Sequence, residues 1–267
     1  MNRMVKVFLF ELKIQMKSCI IWLIFLLATL LLFMNGIYPV FEASFDDVLR
    51  VINGFPPAFA SAFGFDIKSM FGLGGFYGFA FGYISLVGAI MAISLSVSSF
   101  SMESRSKCVD FLLTKPISRE MIFAGKFLSC LTMVILVNII YSIVCFMILS
   151  QGDAAVTVTF WATASLFFTQ LVFLSFGTFF AIFAKKIRSV SGIATAFGFG
   201  AFILSALVNI FNEDAIRYIA PLKYFDPTAL YQNGSIELPY ALTGIFLTVI
   251  CLCFAFVLFM KRDQHQI

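Results

Sequence analysis

The chain has 267 residues, 61% hydrophobic and only 12% charged, with a mean hydropathy of +1.00. That balance excludes an ordinary soluble domain and points to a membrane protein. A net charge of +4 is modest and gives no reason to expect a nucleic-acid partner.

Residues 1–19 predict an amphipathic helix lying in the inner membrane surface. At 100° per residue Arg3, Lys6, Lys13 and Lys17 share one narrow arc, with Phe8, Leu9, Leu12 and Met16 on a different face. Topogenic charge alone is the other reading of those four residues. A transmembrane domain, 20–267, follows. Six of its stretches hold no Asp, Glu, Lys, Arg or His: 20–38, 72–101, 128–149, 156–184, 190–211 and 240–260. Each is long enough to cross a hydrocarbon core of roughly 30 Å, and backbone amides in lipid must pair within the segment, so all six are expected to be helices. The first has a basic lead, but its apolar core is too long for a cleaved secretion signal, and it reads as a retained anchor.

The first outer loop, 39–71, is rich in Phe, and Pro56-Pro57 must interrupt any helix there. Its aromatics suit an outer-interface anchor; part of an exit gate is the alternative. The second span opens with Gly74, Gly78 and Gly82, two consecutive GxxxG steps that bare one helix face for a close backbone approach. Gly192, Ala196 and Gly200 repeat the pattern in the fifth span. Both are expected at tight helix contacts, either within the chain or at a dimer seam. The outer segment 212–239 predicts a folded lid. Asn212 suits the cap of a short helix with Glu213 and Asp214 in its first turn, Pro221, Pro227 and Pro239 break it, and Tyr218, Tyr224, Tyr231 and Tyr240 suit headgroup level. Asn233-Gly234-Ser235 fits a glycosylation sequon but is chiefly a turn signal.

Basic residues choose the orientation. Fourteen lie in the N-terminal arm, the two inner loops and the C-terminal tail, against Arg50, Lys68, Arg217 and Lys223 outside, so both termini are expected in the cytoplasm of a multi-pass plasma-membrane protein. No cysteine falls in an outer loop, and Cys251-x-Cys253 would point two thiols about 200° apart on a helix, which suits packing better than a metal.

The inner loop 102–127 contains Phe-Leu-Leu-Thr-Lys-Pro-Ile-Ser-Arg, residues 111–119. Glu103 and Lys107 have the supportive i, i+4 spacing, and Pro116 forces Lys115 out of helical angles and ends the helix. Ser118 can cap the next one, Glu120 sits in its first turn, and Ile117 and Ile122 occupy the staple positions. The result is a rigid elbow with Phe111, Leu112 and Leu113 at its tip, rimmed by Lys115 and Arg119. Such a tip suits docking into a partner's groove, or packing onto the bilayer.

The run from Glu103 to Glu120, continuing to Gly125-Lys126, resembles the first cytoplasmic loop of ABC-2 type transporter permeases: a Glu, a stretch ending in Leu-Leu, Pro-x-Ser-Arg, then Gly-Lys. Lys107-Cys108 stands where many members have Gly-Thr. The resemblance extends to the layout of an inner-surface helix and six spans, an all-α architecture of the type V exporter kind. It implies that this loop is a coupling helix seated in a separate ATP-binding subunit, with Lys185, Lys186 and Arg188 near the same partner. It also implies two permeases, identical or homologous, with two ATP-binding subunits that hold ATP and Mg, and a pathway between the six-span bundles.

The chain itself lacks the materials for hydrolysis, since Gly125-Lys126 is followed by Phe127 and no phosphate loop is formed. His265 is the sole histidine, and charge-free spans argue against a proton-coupled carrier or an intramembrane enzyme. Asn35, Asn138, Gln170, Thr178 and Asn209 either join helices or line a pathway. The expected function is thus the permease subunit of an ATP-driven exporter of a hydrophobic or amphipathic peptide, lipid or drug, with no cofactor of its own. A self-sufficient channel through the glycine-rich span, and a non-transporting scaffold or peptide-immunity factor, are the alternatives.

Overall fold

In the computed structural model, which describes residues 3–65, 70, 72–106, 118–184, 186–211 and 213–261, every regular element is helical. Helix α1 runs from Arg3 to Leu31 and passes through a π-helical stretch, Leu32–Ile37, into α2, Tyr38–Ala43. The segment expected as a separate interfacial helix is therefore the first half of one continuous rod. No Pro or Gly interrupts residues 3–31, and charge at Lys13 and Lys17 does not break a helix whose backbone bonds are all internal. Beyond α2 come α3 (Phe45–Asn53) and α4 (Pro57–Ala62). α4 starts on Pro57, whose fixed φ suits a first turn.

The remaining long helices are α5 (Gly72–Ser106), α6 (Arg119–Leu149), α7 (Val156–Phe183), α8 (Val190–Phe211) and α11 (Leu238–Lys261). The short helices α9 (Asp214–Arg217) and α10 (Pro227–Asn233) lie between α8 and α11. Six apolar helices are thus long enough to cross a membrane. Four match the charge-free stretches within about five residues, but α6 begins nine residues earlier than 128 because Arg119, Glu120 and Lys126 are built into its first turns.

α5 and α7 form the centre and pack on each other most extensively, with α8 against α5, α11 against α7, and α1 against α6. Small residues let the central pair approach: a Cβ on Gly177 would collide with Ser96 Oγ, and one on Gly88 would stand 2.7 Å from a Leu166 methyl. Large apolar groups face outward instead, among them Ile24, Phe25, Met147 and Phe246 at about 60% exposure or more. Water would penalise that surface heavily; lipid tails do not.

The glycines of α5 serve a contact that their spacing did not identify. Gly74 and Gly78 receive α10 of the same chain: the Tyr231 ring lies over Gly74, and a Cβ on Gly78 would sit 2.6 Å from Thr228 Oγ1. Gly82, the third step, has open space on its Cβ side. Gly74→Ala is therefore expected to destabilise by about 1–3 kcal/mol through overpacking, with Gly82→Ala near neutral. Thermal unfolding of the two variants in detergent separates them; equal melting temperatures would contradict the α5–α10 contact. In α8 the buried small residues are Ala194, Gly198, Ala201 and Ser205, with Gly198 closed onto Ile90. Gly192, Ala196 and Gly200 are exposed.

Candidate functional site: the elbow end and the lid cavity

Antiparallel helices bring the start of α1, the end of α5, the start of α6, the end of α7, the start of α8 and the end of α11 to one end of the bundle. Most of the elbow between α5 and α6 (Lys107, Phe111, Leu112, Leu113, Lys115, Pro116 and Ile117), together with Lys185 and the side chains of Arg3 and Glu103, lies outside the described residues. Its two ends are described. α5 is helical through Ser106, five residues beyond the charge-free stretch 72–101. Ser118 caps α6 with extended φ −68° and ψ 148°, its Oγ accepting from Met121 N at 3.4 Å, and Glu120 stands in the first turn. Arg119 donates from Nη1 to the Met260 carbonyl at 2.9 Å, so the start of α6 is tied to the end of α11. Lys186 and Arg188 are exposed on either side of buried Ile187, and Ser189 Oγ accepts from Gly192 N at 3.1 Å at the head of α8. Lys6, Lys13 and Lys17 are exposed as well.

In the first half of α1 the face that enters the core is polar. Glu11, Gln15 and Cys19 follow one another at i, i+4, i+8 and are buried, whereas Leu9 and Met16 are about half exposed. Glu11 meets Lys126 of α6 at 3.0 Å, with each side chain no more than 3% exposed. Lys126 Nζ also donates to the Ser99 carbonyl of α5 at 2.5 Å. Glu11 Oε2 accepts from Ser99 Oγ at 2.9 Å and from Gln15 Nε2 at 3.4 Å. Three helices are thus locked through one ion pair with most of its hydrogen-bonding capacity met, the condition under which a buried pair is tolerated. The charge-free criterion passes over this cluster because both residues fall just outside the stretches it selects. The usable signal is Glu11-x-x-x-Gln15-x-x-x-Cys19, a polar stripe at helical spacing inside an apolar helix.

Deeper in the bundle, Asn138 Nδ2 donates to Gln170 Oε1 at 2.5 Å and joins α6 to α7, while Asn138 Oδ1 has no partner among the described residues. Thr178 bonds its own helix at Leu174 and Asn35 is exposed, so neither performs the helix-joining role.

At the opposite end, the segment 213–237 folds onto the bundle. Arg217 pairs with Glu237 and stacks over the Tyr240 ring at 4.0 Å. Asn212 lies outside the described residues, and Glu213 takes the cap position of α9. Tyr224 and Tyr240 are buried and the Tyr231 hydroxyl is enclosed. Only Tyr218 keeps the exposure expected at headgroup level, because the lid turns Tyr231 onto Gly74 of α5 and Tyr224 onto Gly244 of α11. Gly234 adopts φ +69° at the end of α10, so Asn233-Gly234 forms a turn. Phe55, Phe59 and Phe63 stack along the exposed side of α4 with centroids 5.2 and 4.8 Å apart.

Between this lid, α4, α5 and α8 lies a cavity of about 450 Å³. Lys223 and Asp226 pair at 2.7 Å in its wall, and Asp226 Oδ1 caps α10 by accepting from Thr228 N at 2.9 Å. Burial pushes the Asp226 carboxyl up, but Lys223 and the Thr228 hydrogen bonds outweigh it and hold it below the ordinary value of 3.8. A carboxyl lowered on folding stabilises above its unfolded pKa, and that stabilisation is lost as pH falls through the lowered value. The lid should hence be indifferent to pH near neutrality and loosen only below about pH 4. Amide exchange of residues 221–233 is the measurement; Asp226→Asn should raise exchange at neutral pH and flatten its acid dependence.

Bundle, burial pattern and six apolar helices define an all-helical, multi-pass membrane protein. Residues 6–264 match the family described as ABC-2 family transporter protein, and the chain belongs to that family as a permease component of an ABC transporter. No curated protein matches the chain.

Proposed function

We propose that this chain is the transmembrane subunit of an ATP-driven exporter that moves a hydrophobic or amphipathic substrate (peptide, lipid or drug) out across the cytoplasmic membrane. Hydrolysis belongs to a separate ATP-binding subunit, present in two copies and holding ATP and Mg. A second permease, identical or homologous, completes the assembly, with Gly192, Ala196 and Gly200 assigned to the seam. Both termini lie in the cytoplasm, by the charge asymmetry.

The observation that carries this reading is the run Leu112-Leu113-x-x-Pro116-x-Ser118-Arg119 joined directly to α6. Helix α6 is pinned to α11 by Arg119 and to α1 and α5 by Lys126. A push on the elbow therefore acts on four helices, since rigid elements joined by hydrogen bonds move as one body. Occupation of the Gly74 and Gly78 face by α10 weighs against a pore along that face. Copurification from the native membrane in mild detergent tests the reading: an ATP-binding subunit in roughly stoichiometric amount is expected. Flux by the purified chain alone, with no such companion, would overturn it.

A further inference from the structure

The lid cavity is open where its glycines leave it so. Gly82 has no atom within 4 Å of its absent Cβ, and Gly64, at φ +77°, turns the chain along the rim beside Phe79. The volume, about 450 Å³, falls within the roughly 300–1,000 Å³ typical of small-molecule sites. One wall is aromatic, with Phe65 stacked on Phe79 at 5.3 Å and Tyr83 against Phe202 at 5.7 Å.

The α8 and lid sides of the cavity also carry donors. Ser205 is 7% exposed and its Oγ has no hydrogen-bond partner among the described residues, although it lines the cavity. A hydroxyl so placed costs free energy unless something in the cavity bonds to it. Asn209 brings an amide to the same wall. Lys223 has three N–H donors, of which Asp226 takes one at 2.7 Å. Asp226, the one acid among the described lining residues, has an oxygen committed to Lys223 and the other to Thr228 N. Each Asp226 oxygen already holds one hydrogen bond, and two of the three Lys223 N–H donors remain outside the pair.

From this geometry we infer that the cavity between α4, α5, α8 and the lid is a binding site for an amphipath with an anionic, oxygen-rich head. The head accepts hydrogen bonds from Lys223, Asn209 and Ser205, and the apolar body packs on the Phe79, Tyr83 and Phe202 rings. The site is a property of this chain alone. It holds whether or not an ATP-binding subunit drives transport, so its failure is separate from failure of the exporter reading.

The test is equilibrium binding of radiolabelled dodecyl phosphate to the full chain in nanodiscs of phosphatidylcholine, with empty nanodiscs as background. Wild type is expected to bind saturably, and both Gly82→Leu, which fills the cavity, and Asn209→Leu, which removes a donor, should weaken binding about tenfold or more. Gly82→Cys, in a chain whose native cysteines are replaced by Ser, should react with a maleimide and be protected by dodecyl phosphate, a readout that does not depend on how the other two variants fold. Unchanged binding in Gly82→Leu and Asn209→Leu, or failure of dodecyl phosphate to protect the thiol introduced by Gly82→Cys, would overturn the site. Dodecyl maltoside competing as strongly as dodecyl phosphate would overturn the anionic head, and inorganic phosphate competing equally would overturn the apolar body.

Discussion

Lys126→Met is expected to lower folding stability by about 3–5 kcal/mol, the largest loss from any single polar substitution in the described bundle. The substitution keeps the length of the side chain but strands the Glu11 carboxylate, 2% exposed, with only Ser99 and Gln15 as donors. Glu11→Leu should cost a similar amount by taking away the carboxylate that pairs with the buried Lys126 ammonium. The double variant, Glu11→Leu with Lys126→Met, should recover most of the loss, because an apolar pair of similar volume leaves no unpaired charge. Denaturant unfolding in mixed micelles of the four proteins of this cycle measures the coupling. A single variant within about 0.5 kcal/mol of wild type would show the pair to be as weak as a surface one.

The second large effect is on transport. Phe111→Asp with Leu112→Asp should abolish stimulation by the ATP-binding subunit while leaving expression, membrane insertion and melting temperature as in wild type. Two carboxylates cannot enter an apolar groove without about 2–3 kcal/mol or more of desolvation each, enough to empty a micromolar interface. Normal transport and normal binding of the companion subunit in this variant would refute the coupling assignment. The two predictions are distinguishable: the Lys126 series reads the stability of the helix cluster behind the elbow, and the Phe111 series reads docking with the bundle intact.

Features governed by local physics are legible in the sequence. Charge-free runs of span length return the helices at 72–106, 156–183, 190–211 and 238–261 because lipid forces such runs to be helical. Ser118 is recognisable as a cap and Asn233-Gly234 as a turn because each needs only its neighbours. Cys251 and Cys253 fall on opposite sides of α11, buried and exposed, for the same reason. Errors arise where a criterion about lipid stands in for one about backbone or packing. The charge-free criterion leaves Lys126 in a loop although it is buried in α6, since a charge can enter a helix once another helix supplies its partner. The polar stripe of α1 escapes a reading that sorts residues 1–19 into a basic and an apolar face at the membrane surface; within a bundle, polar groups gain more from helix contacts than leucines do.

Composition and patterning alone determined that the protein spans a membrane with six helices, and the motif from Glu103 to Lys126 pointed to the family that residues 6–264 match. Which small residues close on which neighbours was decided only by the tertiary structure: Gly74 and Gly78 on α10, Gly177 on α5, Gly198 on Ile90, with Gly82 left open to a cavity. A glycine in sequence records that space is needed on one side of a helix. What fills that space depends on the crossing of helices far apart in the chain, as does the meeting of Glu11 with Lys126 across 115 residues.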